Sequence, residues 1–267
     1  MKEFKDIITL NKNSRGCYIL DTVKGCNVCA KEKPLGCYDN CYAKNIASRY
    51  GFNFSNPVKR DFDRVENQFC LFGLDDSIDS NNLIDNIRNI DMPFVRIGEM
   101  GDPSENWTHT IDVCKKIAIA GKPIVIITKH WQTIPNDLLD TLSNFNICIN
   151  SSISALDSKQ EIEHRLAQYN RLKPYCNSIL RIVSCDFNLN NDEGMKRNYI
   201  QNTLLSNAKI LETVFRPSSN NPLVTNKVIN VKKMQFLRGK VLASVRNVNV
   251  YMGMCTDCPD MCGLLTK

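Results

Sequence analysis

Residues 111–128 read Ile-Asp-Val-Cys-Lys-Lys-Ile-Ala-Ile-Ala-Gly-Lys-Pro-Ile-Val-Ile-Ile-Thr and contain both repeating parts of the expected fold. Ile111, Cys114, Ile117 and Ala118 recur at helical spacing, Gly121 ends that helix, and 123–128 is an apolar run rich in β-branched residues. The same alternation extends both ways along the chain. Strands are expected at 94–97, 146–151, 178–184 and 210–215, with another at 17–20. A second helical stripe, Ile162, Leu166 and Tyr169, follows the capping-type segment Asp157-Ser-Lys-Gln-Glu161. Strands alternating with helices imply parallel pairing through right-handed crossovers. The expected class is therefore α/β, either an open doubly wound sheet or a full or partial (β/α) barrel.

Both architectures carry chemistry at the carboxyl ends of their strands. Here those positions are Gly98-Glu99-Met100-Gly101-Asp102, Lys129-His130, Ser151-Ser152, Cys185-Asp186 and Arg216. Each alone reads equally well as a cap or a turn, and their recurrence is the signal. No internal repeat, dinucleotide fingerprint or phosphate-binding P-loop interrupts the pattern. The expected organisation is a strand–helix unit over 1–216, followed over 217–267 by a basic extension packed on it. Within that extension, 217–240 reads as a loop.

With 267 residues, 43% of them hydrophobic and 23% charged, the chain falls in the globular class rather than the disordered or fibrous ones. No apolar stretch approaches the roughly 18 residues of a membrane span, and Met1-Lys-Glu-Phe-Lys-Asp6 lacks a secretory core. A soluble, cytoplasmic protein with no membrane partner is expected. Thirteen cysteines are many for such a chain, and an odd number cannot all pair. In a reducing cytosol, clustered thiols point to metal or redox chemistry rather than a disulfide scaffold. Cys70, Cys114, Cys148, Cys176 and Cys185 stand alone in the sequence, and most of them read as packing. The net charge of +6 is uneven, since 195–267 holds eleven Lys or Arg against three Asp or Glu. That excess fits a surface for phosphate or nucleic acid, and equally a solvated face.

Residues 25–43 read Gly-Cys26-Asn-Val-Cys29-Ala-Lys-Glu-Lys-Pro-Leu-Gly-Cys37-Tyr-Asp-Asn-Cys41-Tyr-Ala. Four thiols this close can close a Cys₄ zinc site, or three can hold an iron–sulfur cube and leave one iron open. The order strand, Gly-Cys26, Pro-Leu-Gly-Cys37, Asn40-Cys41-Tyr42-Ala43, helix resembles the start of a radical S-adenosylmethionine (SAM) enzyme. It is similar in particular to a phage and bacterial branch with the pattern Gly-Cys, Pro-Gly-Cys, Asn-Cys-Tyr-Ala, and more distantly to spore photoproduct lyase. The likeness extends through 94–102, 126–129 and 181–186, and so covers roughly 16–190. The superfamily's usual cysteines are separated by three and then two residues, whereas Cys26, Cys37 and Cys41 are separated by ten and three. The glycines before Cys26 and Cys37 favour that set, with Cys29 as the alternative to Cys26.

The resemblance implies a partial (β/α) barrel, a [4Fe-4S] cluster on Cys26, Cys37 and Cys41, and SAM bound to the open iron. It implies reductive cleavage of SAM to a 5′-deoxyadenosyl radical that abstracts hydrogen from substrate, with electrons from a flavodoxin- or ferredoxin-like donor. Gly98-Glu99, with Met100 and Gly101, matches the family's glycine–glutamate turn, in which a carboxylate or exposed carbonyl accepts from the SAM ammonium. By position, Asn40 is a candidate for adenine, Ser151 or Ser152 for ribose or carboxylate, and Lys129 and Arg216 for carboxylate or a substrate phosphate. The substrate class implied is a nucleotide or nucleic acid, with a peptide also possible. Cys255-x₂-Cys258-x₃-Cys262 has metal-ligand spacing, and a second iron–sulfur cluster or a zinc ion is expected there, with Cys17 or Cys29 as fourth ligand. The alternative reading is a zinc-stabilised nucleic-acid-binding module, with Cys26, Cys29, Cys37 and Cys41 as one site and the basic segment on phosphate.

Overall fold

The computed structural model describes residues 7–27, 37–62, 78–207, 210–230, 241–242, 250–251 and 253–265, so expectations for Cys29, Cys70 and most of 231–249 fall outside them. Its strands are β1 (Asn11–Lys12), β2 (Tyr18–Leu20), β3 (Val23–Lys24), β4 (Val58–Lys59), β5 (Val95–Ile97), β6 (Ile124–Thr128), β7 (Ile147–Ile153), β8 (Asn177–Ser184), β9 (Ile210–Val214), β10 (Val241–Leu242) and β11 (Val250–Tyr251). The longer helices are α1 (Tyr42–Arg49), α2 (Ile78–Arg88), α3 (Trp107–Ala118), α4 (Lys159–Leu172) and α5 (Asp192–Leu205). All six expected strands form.

They assemble into one seven-stranded sheet of order β1-β2-β5-β6-β7-β8-β9, in which only β1 runs antiparallel to its neighbour. The parallel strands follow chain order without a reversal. A doubly wound sheet requires a switch point where the order turns back, so that alternative is excluded. Two short antiparallel pairs, β3–β4 and β10–β11, lie outside the main sheet.

Side chains alternate between the two faces of each strand, and the register aligns them across the sheet. One face carries Ile97, Ile126, Ile149, Leu180 and Ile182, all fully buried. Helix α3 packs Ile111, Cys114 and Ile117 into the core cluster that includes Ile97 and Ile126, while Tyr169 of α4 and Leu204 of α5 join Ile153, Leu180 and Ile182. The opposite face is mixed. There the register aligns Arg96 with Val125 and Cys148, Ile127 with Asn150 and Ile179, and Ser152 with Arg181 and Leu211. Its polar members satisfy one another, since Arg181 donates to Asn150 Oδ1 and Thr213 Oγ1, each at 3.0 Å.

The helices start where local chemistry directs. Ser158 and Glu161 form the expected capping box on α4, a feature worth about 1 kcal/mol. Helices α2 and α5 were not legible as stripes in the sequence. In α5 the large apolar residues Met195 and Tyr199 are exposed while Gln201 is buried, so hydrophobic period does not mark the packed face. The expected loop after 216 contains a helical turn, Pro222–Thr225, and Ile229 bridges to Phe187.

Candidate active site

At the carboxyl ends of the strands, two turns are pressed together. Gly25 donates to Met100 O at 3.1 Å and bridges Gly101, which holds the Gly-Cys26 turn against the turn at 98–102. The fit requires glycine: a Cβ on Gly98 would lie 2.3 Å from Ile127 O, and one on Gly101 would lie 2.1 Å from Val23 O. Asp21, just past β2, accepts the N–H groups of Glu99 at 2.7 Å and Met100 at 3.1 Å. Burial raises the Asp21 carboxyl pKa against the lowering effect of those two bonds. Asp102 accepts from Ser104 N, Ser104 Oγ, Thr128 Oγ1 and Lys129 N, fixing the turn to the end of β6.

Cys26 and Cys41 share one packing cluster. Buried Cys26 sits with Ala43, Ala47 and Phe54, and Cys41, Met100 and Trp131 pack against that group. Cys41 caps α1, its Sγ accepting from Lys44 N at 3.5 Å. Cys37 opens the tight turn Cys37–Asp39, in which Tyr38 and Asp39 both adopt φ 55. That turn is anchored through Tyr38. Its hydroxyl donates to Asp157 Oδ1 at 2.5 Å and accepts from Lys129 Nζ at 2.5 Å, and its ring meets Phe215 edge-on at 5.6 Å.

Asp157 and Arg165 form the buried base of this anchor, paired to each other, with Lys129 at 3.5 Å from the carboxylate. Burial alone would raise the Asp157 carboxyl, but Lys129 and Arg165 hold it down at about 2. Burial and the Asp157 charge push the Tyr38 phenol well above its ordinary value, so the phenol remains protonated.

The remaining candidates divide. Asn40 Nδ2 donates to Arg216 O at 2.9 Å, which brings those two segments together, with Arg216 exposed. Glu99 receives Asn13 Nδ2 and Arg96 on the same oxygen, Oε2, and its backbone carbonyl accepts from Tyr42 Oη at 2.7 Å. No partner for Glu99 Oε1 occurs among the described residues. Ser151 lies on the helix-covered face, its hydroxyl 2.9 Å from His130 Nε2, so it is separated from Ser152 on the mixed face. Lys129 is half-buried against Tyr38 and Asp157 rather than free in a cleft.

The second set of cysteines lies elsewhere. Segment 253–265 lies over the mixed face, where Asn150 Nδ2 donates to Cys262 O at 2.9 Å and Asn177 Nδ2 to Gly263 O at 2.8 Å. Cys255 N donates to Arg15 O at 2.7 Å, and the Cys17 thiol, two residues on, donates to Tyr18 O at 3.7 Å. Of the two fourth partners expected for this set, Cys29 lies outside the described residues, and Cys17 lies close in sequence to Arg15, whose carbonyl accepts from Cys255 N. The neighbouring Cys17 thiol, followed by the Arg15 and Arg96 guanidiniums, lowers the Cys255 thiol despite burial, while the Cys255 thiol and burial raise Cys17. Among the described residues, no three His, Cys, Asp or Glu side chains converge tightly enough to hold a single metal ion.

Sequence reasoning missed Asp21, Asp157, Arg165 and Tyr38. Asp21 offered a signal, as a polar residue just past a strand, whereas the other three are joined only by the fold. No family model, curated protein or solved structure matches the chain. No helix among the described residues is long and apolar enough to cross a membrane.

Proposed function

We propose that this chain is a radical SAM enzyme, with Cys26, Cys37 and Cys41 holding a [4Fe-4S] cluster at the carboxyl end of a partial (β/α) barrel. One observation carries the reading. Cys26 and Cys41, distant in sequence, pack into one cluster with Met100 of the glycine–glutamate turn. The parallel strands in uninterrupted chain order, helices on one face and a mixed opposite face, are what a singly wound barrel segment requires.

Three thiolates would hold an iron–sulfur cube with one iron left open, and left-handed Tyr38 and Asp39 shape the turn between Cys37 and Cys41. When bound, the reduced cluster and SAM supply a 5′-deoxyadenosyl radical. The chain's own residues orient and shield. Asp21 and Gly98 fix the Gly98–Asp102 turn, and Arg96 and Asn13 hold Glu99 by one oxygen, leaving Oε1 to accept from an ammonium group. The Tyr38–Asp157–Lys129–Arg165 group locks the ligand turn to β6 and α4. Met100 and Trp131 supply apolar cover beside the thiols and exclude water.

Protein prepared without oxygen is expected to be brown and, once reduced, to convert SAM to 5′-deoxyadenosine and methionine. Cys41→Ser keeps a capping oxygen on α1 but removes the thiolate. It should abolish cluster absorbance and SAM cleavage with helical content unchanged. A Cys41→Ser protein that retains cluster and turnover refutes the assignment, and zinc without iron in the wild type favours the nucleic-acid-binding alternative.

A further inference from the structure

We propose that the cavity between the mixed face and segment 253–265 binds a mononucleotide, with the Arg15 and Arg181 guanidiniums on its phosphate. Its role as the substrate site rests on the radical SAM reading, whereas binding itself needs no cluster. Three cations converge there. Arg96 and Arg181 stand on β5 and β8, Arg15 enters from the loop before β2, and all three line the cavity.

Neutral acceptors position two of these guanidiniums and leave their charge uncompensated. Arg181 donates from Nε to Asn150 Oδ1 and from Nη1 to Thr213 Oγ1, each at 3.0 Å. Asn150 is oriented in turn by its own amide, which donates to Cys262 O at 2.9 Å. Arg15 donates from Nε to Gly253 O at 2.9 Å, so segment 253–265 fixes both side chains. Neither pairs with a carboxylate among the described residues, and Arg15 Nη1, Arg15 Nη2 and Arg181 Nη2 have no partner there.

A half-buried arginine kept for stability finds a carboxylate, as Arg96 does in Glu99 and buried Arg165 in Asp157. Arg15 and Arg181 instead turn open N–H groups to the cavity from two sides, a fork geometry that matches phosphate oxygens. The rest of the wall suits a nucleoside. Tyr251 supplies a half-buried aromatic ring, the kind of surface on which a base stacks. Asp260 pairs with none of the guanidiniums and remains an acceptor for ribose hydroxyls. Glu212 also borders the cavity, but register with Ile182 sets its side chain on the helix-covered face, away from the phosphate.

The test is calorimetric titration of the full-length chain with AMP, GMP, CMP and UMP. At least one should bind with a dissociation constant below about 1 mM, and its nucleoside, which lacks the phosphate, about tenfold or more weaker. Inorganic phosphate should compete with that nucleotide more strongly than acetate does. Arg181→Ala and Arg15→Ala should each weaken it about tenfold or more, with circular dichroism unchanged. Should Arg181→Ala not fold, Arg181→Lys keeps the charge, loses the fork and should show the same loss. No binding of any of the four, equal binding of the nucleoside, acetate competing as well as phosphate, or affinity unmoved in the arginine variants overturns the proposal. An oligonucleotide without terminal phosphate that binds more tightly than the mononucleotide overturns it in favour of a nucleic-acid strand. Nucleotide binding by a wild type without iron or SAM cleavage refutes the radical reading alone, and SAM cleavage without nucleotide binding refutes the cavity assignment alone.

Discussion

Asp157→Asn tests the anchor beneath the first cysteine turn. The Asp157 side chain has no exposure, accepts from Tyr38 Oη at 2.5 Å and Ser154 N at 2.7 Å, and faces Lys129 and Arg165. Its folded pKa of about 2 lies below the unfolded value of about 3.9. A carboxyl depressed in this way stabilises the fold above the unfolded value, and the contribution is lost as pH falls from about 4 through about 2. The difference of about two in pKa corresponds to roughly 2–3 kcal/mol. Asparagine also leaves the Arg165 side chain, 1% exposed, with Glu161 at 3.5 Å as its remaining carboxylate while its Nε stays on Lys129 O at 2.7 Å. Breaking a buried pair from one side costs about 3–5 kcal/mol, a large part of a typical total of about 5–15. Urea unfolding followed by circular dichroism at pH 7 should show that loss as a midpoint lower by about 1 M or more. The gap to wild type should shrink as pH approaches 2. A loss below about 1 kcal/mol at pH 7, or a gap that does not change with pH, refutes the account of the anchor.

Gly98→Ala places a methyl against Ile127 O at φ 99, so it should lower stability by more than about 2 kcal/mol in the same assay; a neutral result contradicts the close approach of the turn. His130 is held neutral by burial, with His164 and Arg165 adding to it, and its pKa falls to about 3. The unfolded chain therefore binds the extra proton between about pH 3 and 6.5, and stability should rise with pH there by up to about 1.4 kcal/mol per unit. His130→Asn suits the left-handed backbone at φ 51 and should flatten that slope, which midpoints across the pH range would detect. Glu99→Gln removes the charge facing Oε1 and should weaken SAM binding about tenfold or more by equilibrium dialysis on the reconstituted protein, while unchanged affinity argues against an ammonium at that oxygen.

The strands were readable because each parallel strand is flanked by neighbours and so appears as a nearly continuous apolar run. The same fact concealed the mixed face. Arg96 and Arg181 each sit as one polar residue inside such a run; the register sets Arg96 beside Val125, and Arg181 between Ser152 and Leu211, from where it reaches Asn150 Oδ1 and Thr213 Oγ1. Ser151 and Ser152 illustrate a reading the sequence does permit, because period-two alternation sends adjacent strand residues to opposite faces. Tyr38, Lys129, Asp157 and Arg165 come from four separate segments, and no local pattern links them. The segment holding Cys255 and the segment holding Cys17 come from opposite ends of the chain, and only the fold brings Cys255 N onto Arg15 O.

The contact of Cys255 with Arg15 also sets an order of assembly. During synthesis β2 and the strands that follow it emerge long before residues 253–265, so a nascent chain can align its sheet while the floor beneath Arg96 and Arg181 is still open. Closing so long a loop is slow and adds little until the last contacts form. Docking of residues 253–265 over the mixed face therefore follows alignment of the strands.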